Sequence, residues 1–191
     1  FEEDFHEETG QMKSERMKNL KGTVVEIGPG NGINLRYYPE GVKVIAVEPN
    51  PFMHERLREH ASLSKADVEL KGELLHNLNI ESNSIDSVVC TLVLCTVPDP
   101  QQIMEEVLRI MKPGGQYIFV EHVAAPKGSA KRMVQNLLNK PWQYVFEGCH
   151  TNRDTASLLK SIGFSQVEIE SFDSTAIPAP ISPNIVGVAT K

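Results

Sequence analysis

Three glycines and one glutamate carry the strongest chemical signal in the sequence. Gly28, Gly30 and Gly32 follow the apolar run Thr23–Ile27. Glycines at such a place let the backbone approach a ligand beneath the positive end of a helix. Glu48 ends the next apolar run, about twenty residues past Gly28, where an acid can accept both hydroxyls of a ribose. The loop and the acid together predict a nucleoside site.

The spacing of the glycines distinguishes two kinds of nucleoside. A dinucleotide fingerprint needs a third small residue at the position of Ile33, where the helix packs closely on the strand. Here the third glycine is Gly32, and the loop is preceded by the acid Glu26. This pattern departs from the dinucleotide fingerprint, although a nicotinamide-dependent oxidoreductase stays open as an alternative.

The elements that must position these residues alternate between strands and helices. Continuous apolar runs, typical of strands covered on both faces, predict a doubly wound α/β sheet with helices on both sides. The seven predicted strands are Thr23–Ile27, Lys43–Val47, Val68–Leu70, Ile85–Cys90, Gln116–Glu121, Phe164–Ile169 and Ile185–Thr190.

Capping residues predict the helices between the strands. Asn50 precedes a helix over Pro51–Ala61, and Asp99 precedes another that ends before the fifth strand. Thr151 is expected to cap a helix that ends at Gly163.

Length and composition indicate one globular domain over residues 1–191, with 40% hydrophobic and 23% charged residues. Segment 1–22 predicts one or two helical turns that lead into the fold. Segment 124–150 carries extra apolar residues, which predict either a cap over an acceptor pocket or ordinary helix packing.

Charge and cysteine content exclude several classes of function. The net charge of −6 disfavours a nucleic acid partner, since phosphate backbones need clustered cations. Cys90, Cys95 and Cys149 are an odd number without the spacing of paired metal ligands. They argue against disulfides and structural zinc and for a reducing compartment, so no metal is expected. The longest apolar run, around Val88–Val97, is too short to span a bilayer.

The order of motifs over residues 22–122 resembles the class I S-adenosylmethionine-dependent methyltransferases. After the glycine loop and Glu48 come Gly72-Glu73-Leu74, the strand Asp86–Leu92 and the helix and turn Leu108–Gly115. The resemblance implies a seven-stranded Rossmann-like sheet, mostly parallel, with an antiparallel last strand. It also implies S-adenosylmethionine as cofactor and S-adenosylhomocysteine as product.

The resemblance assigns roles to particular residues of this chain. The glycine loop would adjoin the methionine moiety, whose ammonium Glu26 helps to hold, and Glu48 would bind the ribose. Thr91 and Leu92 would lie at the reactive methyl. The cofactor-binding residues implied are Glu26, Gly28, Gly30, Gly32, Glu48, Pro49, Glu73, Leu74, Thr91 and Leu92.

A narrower resemblance covers nearly the whole chain. Cys90–Cys95, Val120–Ala124, Glu147-Gly148-Cys149 and Ile185–Gly187 are similar to the small methyltransferase-like thiol S-methyltransferases. Members of that family carry an N-terminal hydrophobic segment for the endoplasmic reticulum or lipid droplets. The protein is expected to face the cytosol. Membrane association is expected only if such a segment lies upstream of Phe1, and otherwise the protein is expected to be cytoplasmic. This chain departs from the family at two positions: members tend to have Cys where it has Pro29, and Asp where it has Glu48.

Methyl transfer to a thiol makes modest demands on catalytic groups, because positioning supplies much of the rate and some thiolate exists at neutral pH. His122, at the end of the fifth strand, is the candidate base, with a structural histidine as the other interpretation. Glu121 is expected to hold a neighbouring group, with a share in the role of base as the alternative. His150 is expected to be structural. The cysteines are expected to be small buried hydrophobes.

The leading interpretation is a methyltransferase acting on a small lipophilic acceptor, a thiol above all. The alternatives are O- or C-methylation of a lipid or quinone-like acceptor, the oxidoreductase, and an inactive cofactor-binding protein. The Asn/Asp-Pro-Pro-aromatic signature of base and glutamine methylation is missing at Cys90–Val93, which further disfavours nucleic acid. The sequence leaves the oligomeric state open.

Overall fold

Seven strands form one sheet in this computed structural model, which describes residues 2–191. The spatial order of the strands is β3-β2-β1-β4-β5-β7-β6. The strands are β1 (Thr23–Ile27), β2 (Lys43–Val47), β3 (Asp67–Lys71), β4 (Ile85–Thr91), β5 (Met111–His122), β6 (Gln166–Asp173) and β7 (Pro183–Thr190). All seven predicted strands are present. β5 begins earlier than predicted because the chain re-enters the sheet before its Pro-Gly-Gly turn, and β6 begins two residues later and ends four residues later than the predicted Phe164–Ile169.

The sheet is parallel except around its last strand. β7 pairs antiparallel with both β5 and β6, whereas β1 to β5 pair parallel. The predicted doubly wound fold with an antiparallel last strand is confirmed. β1 and β4 are neighbours, with Ile27 opposite Cys90. The strand order reverses there, so a crevice opens at the carboxyl ends of these strands.

Five α-helices and four short 3₁₀ helices connect the strands. The α-helices are α1 (Glu2–Met17), α2 (His54–Leu63), α3 (Pro100–Ile110), α4 (Ala130–Val145) and α5 (Thr155–Ser161). The 3₁₀ helices are Ile33–Tyr37, Pro51–Met53, Leu75–Asn77 and Ala179–Ile181.

The N-terminal segment corrects the sequence prediction of one or two turns. α1 has 16 residues, while Phe1 of the predicted lead-in lies outside the described residues. Phe5, Thr9, Lys13 and Met17 form its buried stripe at a spacing of four. Two of these four side chains are polar, so the stripe gave no hydrophobic period to detect.

Two further helix predictions were partly wrong. Asn50 does accept a hydrogen bond from Phe52 N, but the helix it caps starts as the 3₁₀ turn before α2. Thr151 does not cap α5, since Asp154 accepts from Ser157 N instead. The Thr151 hydroxyl donates to the Gln135 carbonyl at 2.8 Å. Asp99 caps α3 as predicted.

Both faces of the sheet are covered, as the continuous apolar strands predicted. Residues of α3 and α5, such as Met104 and Leu159, pack in the core on one face. Met17 of α1 and Leu57 of α2 pack in the core on the other. Within residues 2–191, no helix combines the length and the apolarity needed to cross a membrane.

Candidate functional site

Two adjoining cavities lie at the carboxyl edge of the sheet and form one cleft. Their volumes are about 600 and 570 Å³, and Gly28, Gly30, Leu92 and Glu147 line both. The first cavity, the α1 half, is bounded mainly by Phe5, His6, Asn34, Thr91, Phe146, Ile177 and Ile181. The second, the β2 half, is bounded mainly by Glu48, Pro49, Met53, Leu74, Leu75, Val97 and Ile103.

The three glycines of the loop after β1 have different structural roles. Gly28, at φ +59°, faces Val93, whose Cγ2 would lie 2.6 Å from an added Cβ. Gly30, at φ +57°, has open space at that position, so its backbone faces the cleft. Gly32 packs on α2, where a Cβ would lie 2.7 Å from Leu57 Cδ1. Gly32, predicted to bind cofactor, lies outside the cleft lining.

Glu48 joins the end of β2 to the glycine loop. Its Oε2 accepts from Gly30 N and its Oε1 from Asn50 N, both at 2.9 Å. Each carboxylate oxygen keeps a further lone pair for a hydroxyl donor. Glu48 and the predicted Pro49 both line the β2 half. The arrangement can bind the two hydroxyls of a ribose.

The loop after β3 brings one of its two predicted residues to the cleft. Leu74 lines the β2 half beside Leu75, which the sequence analysis missed. Glu73 is exposed and is not among the lining residues. Leu74 is 47% exposed, so it offers an apolar surface at the rim of this half.

A buried hydrogen-bond network supports the wall of the α1 half. The Glu26 carboxylate accepts from Asn34 Nδ2 at 2.9 Å and from the Tyr38 hydroxyl at 3.0 Å. Asn34 Nδ2 also donates to Thr91 Oγ1 at 3.1 Å. Burial raises the pKa of Glu26, and the hydrogen bonds from Asn34 and Tyr38 oppose that rise. Glu26 therefore lies behind the wall and holds Asn34 in it.

Asn34 lines the α1 half and carries the remaining acceptor of this network. Its Oδ1 is buried and has no hydrogen-bond partner among the described residues. A buried carbonyl oxygen without a donor costs free energy, so a cationic donor at this point would be stabilised. The sequence analysis missed Asn34, whose signal was a polar residue between the apolar Ile33 and Leu35.

The loop after β4 is held in a strained conformation. Leu92 has φ +57°, which an L-residue adopts at a cost, and it lines both halves of the cleft. The amides of Val93 and Leu94 donate to Glu121 Oε1 at 2.9 Å, and that of Cys95 to Oε2 at 3.3 Å. Burial raises the pKa of Glu121, and these amides oppose that rise. The prediction that Glu121 holds a neighbouring group is confirmed.

α1 places an unpredicted pair of basic groups at the cleft. His6 lines the α1 half, and its Nδ1 lies 2.6 Å from Lys13 Nζ. Lys13 is buried and lies over the Tyr37 ring, 5.3 Å from its centroid. Burial lowers the pKa of Lys13 to about 8, and burial with the neighbouring cations Lys13 and Arg36 lowers that of His6 to about 3. Both side chains hold their protons weakly.

His122 lies at the end of β5, as predicted, and turns away from the cleft. It is buried and does not line either half. Its Nε2 lies 3.0 Å from Cys149 Sγ, while its Nδ1 has no partner among residues 2–191. Cys95 completes this group, and all three cysteines of the chain are free thiols. A role of His122 as base stays a prediction.

The segment after α4 forms the wall opposite the glycine loop. Phe146 lines the α1 half, Glu147 lines both halves, and Gly148 lines the β2 half. Glu147 and Gly148 have φ of +49° and +87°, which turn the chain sharply. The Phe146 ring stacks on Trp142 with centroids 4.1 Å apart. Segment 124–150 thus contributes to the cleft, although Met133 and Leu137 of α4 remain exposed.

Comparison with known proteins gives consistent results. Residues 25–119 match a family described as a methyltransferase domain. The chain is 37% identical over 186 residues to thiol S-methyltransferase TMT1B of Rattus norvegicus, covering 92% of this chain and 75% of that protein. It is 32% identical to thiol S-methyltransferase TMT1A of Homo sapiens, covering 98% and 81%.

Solved structures share the fold at low sequence identity. A methyltransferase in complex with the Haloferax volcanii activator Trm112 aligns with a TM-score of 0.74 at 21% identity, covering 98% of this chain and 91% of that one. The YcgJ protein of Bacillus subtilis aligns with a TM-score of 0.72 at 14% identity, covering 97% and 98%. These likenesses establish the Rossmann-like fold.

Proposed function

The chain belongs to the S-adenosylmethionine-dependent methyltransferase family that includes the thiol S-methyltransferases, and from this premise we propose that it S-methylates small lipophilic thiols. Membership of this family removes the support for a nicotinamide-dependent oxidoreductase. The observation that carries the proposal is the division of the cleft. A half with a ribose-binding acid meets, at the strained residue Leu92, a second half whose walls include Phe5, Phe146 and Ile181.

The residues of the cleft fit S-adenosylmethionine. Glu48 has lone pairs free for the ribose hydroxyls, and Gly30 leaves open space where a side chain would otherwise stand. Asn34 Oδ1, a buried acceptor without a partner among the described residues, suits the ammonium of the methionine moiety. Met53 and Leu74 supply apolar contacts for the adenine. When bound, the cofactor supplies a methyl group on a positively charged sulfur.

The chain's own residues do the remaining work. Glu26 and Thr91 fix Asn34, and Glu121 fixes the loop that carries Leu92. Both groups are held before any ligand binds, which lowers the cost of ordering the site. Phe5 and Phe146 line the acceptor side with apolar surface, which excludes water and holds a lipophilic acceptor.

The acceptor thiol must lose its proton, and we propose that His6 receives it. Among the described residues that line the α1 half, His6 and Glu147 are the titratable ones. Burial and neighbouring cations lower the pKa of His6 to about 3, so His6 is neutral at neutral pH and can only relay a proton, not keep it. Lys13, bonded to the other ring nitrogen, has a pKa of about 8, near that of a thiol. In molecules whose Lys13 is neutral, His6 Nε2 can take the thiol proton while its Nδ1–H passes its own proton to Lys13 Nζ, which ends as the ammonium.

A matched acceptor panel tests the proposed function. The full chain is incubated with S-adenosylmethionine labelled in the methyl group and with pairs of alkyl and aryl thiols and their hydroxyl analogues. Methylation of the thiols, rising with their apolar area, and no methylation of the alcohols and phenols is the expected result. Preference for the phenols would reassign the enzyme to O-methylation. The Glu48→Ala variant serves as the control that lacks the ribose ligand.

We also propose that the protein works facing the cytosol. Its three cysteines are free thiols, and the reducing cytosol preserves thiols of this kind. Membrane association through an upstream hydrophobic segment remains a proposal that follows from the family resemblance. Fractionation of cells that express the full-length protein, followed by protease protection, would test both.

A further inference from the structure

Behind the wall of the cleft, the fold brings together three side chains that bind soft metals. Cys95 Sγ, His122 Nε2 and Cys149 Sγ all lie within 4.8 Å of one another, and all three residues are buried. Cys95 follows β4, His122 ends β5 and Cys149 follows α4. We propose that these residues, the Cys₂His cluster, bind a thiophilic metal ion, Zn²⁺ in the first place.

The chemistry of the three ligand atoms selects the ion. Thiolates favour Zn²⁺ and Cu⁺, and imidazole suits both, whereas Mg²⁺ and Ca²⁺ need oxygen ligands. Around a tetrahedral zinc, with bonds of about 2.0–2.3 Å, neighbouring ligand atoms lie roughly 3.5–4 Å apart. His122 Nε2 and Cys149 Sγ are already 3.0 Å apart, so small movements of the side chains suffice.

The surroundings of His122 leave its Nε2 open to a metal ion. A buried imidazole, whether bound to a metal or not, normally has a partner on its other ring nitrogen. Here the Nε2 faces a thiol, and the Nδ1 has no partner among the described residues. The nearby carboxylate of Glu121 is committed to the backbone amides of the β4 loop. Glu121 is therefore not counted as a metal ligand, and the proposed ligands are the two sulfurs and the imidazole.

Three protein ligands leave one coordination position for water or an added thiol. Zinc sites with three protein ligands have this open position, whereas purely structural sites are closed by four. The Cys95 sulfur lies 3.3 Å from the Leu92 carbonyl, and Gly148, beside Cys149, lines the β2 half. A bound metal would therefore tie both walls of the cleft together at their backs.

The proposal is tested by metal binding, without any measurement of methyl transfer. The full chain is purified with a reductant, stripped with a chelator and titrated with Zn²⁺, and separately with Co²⁺ as a spectroscopic probe. One equivalent of Zn²⁺ is expected to bind and to raise the melting temperature. Co²⁺ is expected to give a thiolate-to-metal charge-transfer band in the near ultraviolet.

Four variants locate the site. Cys95→Ser, Cys149→Ser and His122→Gln are expected to weaken Zn²⁺ binding by at least about tenfold. Cys90→Ser is the matched control, since Cys90 is also a buried thiol but does not belong to the cluster. It should bind one equivalent and keep the charge-transfer band. Far-ultraviolet circular dichroism of each apoprotein separates lost folding from lost ligands.

Three results would overturn the proposal. The wild type could fail to bind a stoichiometric metal, or its Co²⁺ complex could lack the thiolate band, which would place the ion elsewhere. A mass lower by two hydrogens under non-reducing conditions, with a peptide linking Cys95 to Cys149, would instead identify a disulfide pair. None of these outcomes bears on cofactor binding at Glu48, so failure here leaves the proposed methyltransferase function intact.

Discussion

Glu48 accepts a hydrogen bond from the backbone amide of Gly30 at 2.9 Å, although the two residues lie 18 positions apart in the chain. The acid that is placed to bind the ribose therefore also fixes the conformation of the glycine loop. The two parts of the nucleoside site are coupled before any ligand arrives.

Replacement of Glu48 by alanine should weaken cofactor binding. The variant loses two charge-assisted hydrogen bonds to the ribose and the bond that holds Gly30, at an expected cost of about 3 kcal/mol, or roughly 100-fold in affinity. Calorimetric titration with S-adenosylhomocysteine measures the effect. Glu73→Ala is the matched control, because Glu73 is exposed and does not line the cleft. Equal affinities of the two variants would remove the ribose assignment.

Alanine at Gly28 and at Gly30 should act on different properties. Both glycines have positive φ, so each substitution strains the backbone by about 1 kcal/mol. Gly28→Ala also clashes with Val93 and should lower the free energy of unfolding further. Gly30→Ala projects a methyl group into the cleft and should chiefly lower affinity for the cofactor. Urea unfolding and calorimetry of both variants check this division, which fails if Gly30→Ala is the less stable.

Lys13 should make stability rise with pH in the alkaline range. The unfolded chain keeps the Lys13 proton up to its ordinary pKa of 10.5, but the fold only up to about 8. Between these values the unfolded state binds the extra proton, so the free energy of unfolding rises with pH, by about 3 kcal/mol in total. Lys13→Met should remove that rise, whereas exposed Lys18→Met should keep it.

Chemical denaturation of the wild type and the two lysine variants at several pH values between 8 and 10.5 measures this effect. Only the difference between variants is used, because tyrosines and cysteines also titrate in this range. Parallel curves for the wild type and Lys13→Met would show that the buried ammonium is not destabilising.

The role of His6 depends on the acidity of the acceptor. His6→Gln should lower kcat at least about tenfold for an alkyl thiol, which must lose its proton in the site. An acidic aryl thiol already ionised in solution should be methylated at nearly the wild-type rate. The comparison variant is His76→Gln, whose residue is exposed and lies outside the cleft lining. If both thiols slow equally in His6→Gln, the histidine shapes the pocket and does not accept the proton.

The sequence predicted the structure best where the residues of a single strand or loop form the whole pattern. The strands could be predicted because both faces of each are buried, which leaves continuous apolar runs. The cofactor side followed from the loop after β1 and the end of β2, each a local motif. Glu48, Pro49, Thr91 and Leu92 line the cleft as expected.

What the sequence could not predict depends on contacts between distant segments. The full length of α1 was not predicted because its buried stripe contains the polar residues Thr9 and Lys13. His6 was therefore not expected in the cleft. The spacing of the glycines could not show that α2 packs against Gly32. Spacing along the chain could not show that Cys95, His122 and Cys149 lie together, because they come from three separate segments.

The α1 half of the cleft combines residues of the matched methyltransferase domain with residues from parts of the chain outside it. Phe5, Phe146 and Ile181 all lie outside residues 25–119. The residues proposed to bind the cofactor can therefore stay unchanged while these flanking segments change in sequence. Relatives that share one donor can specialise on different compounds by changing only the terminal helix and the two late loops.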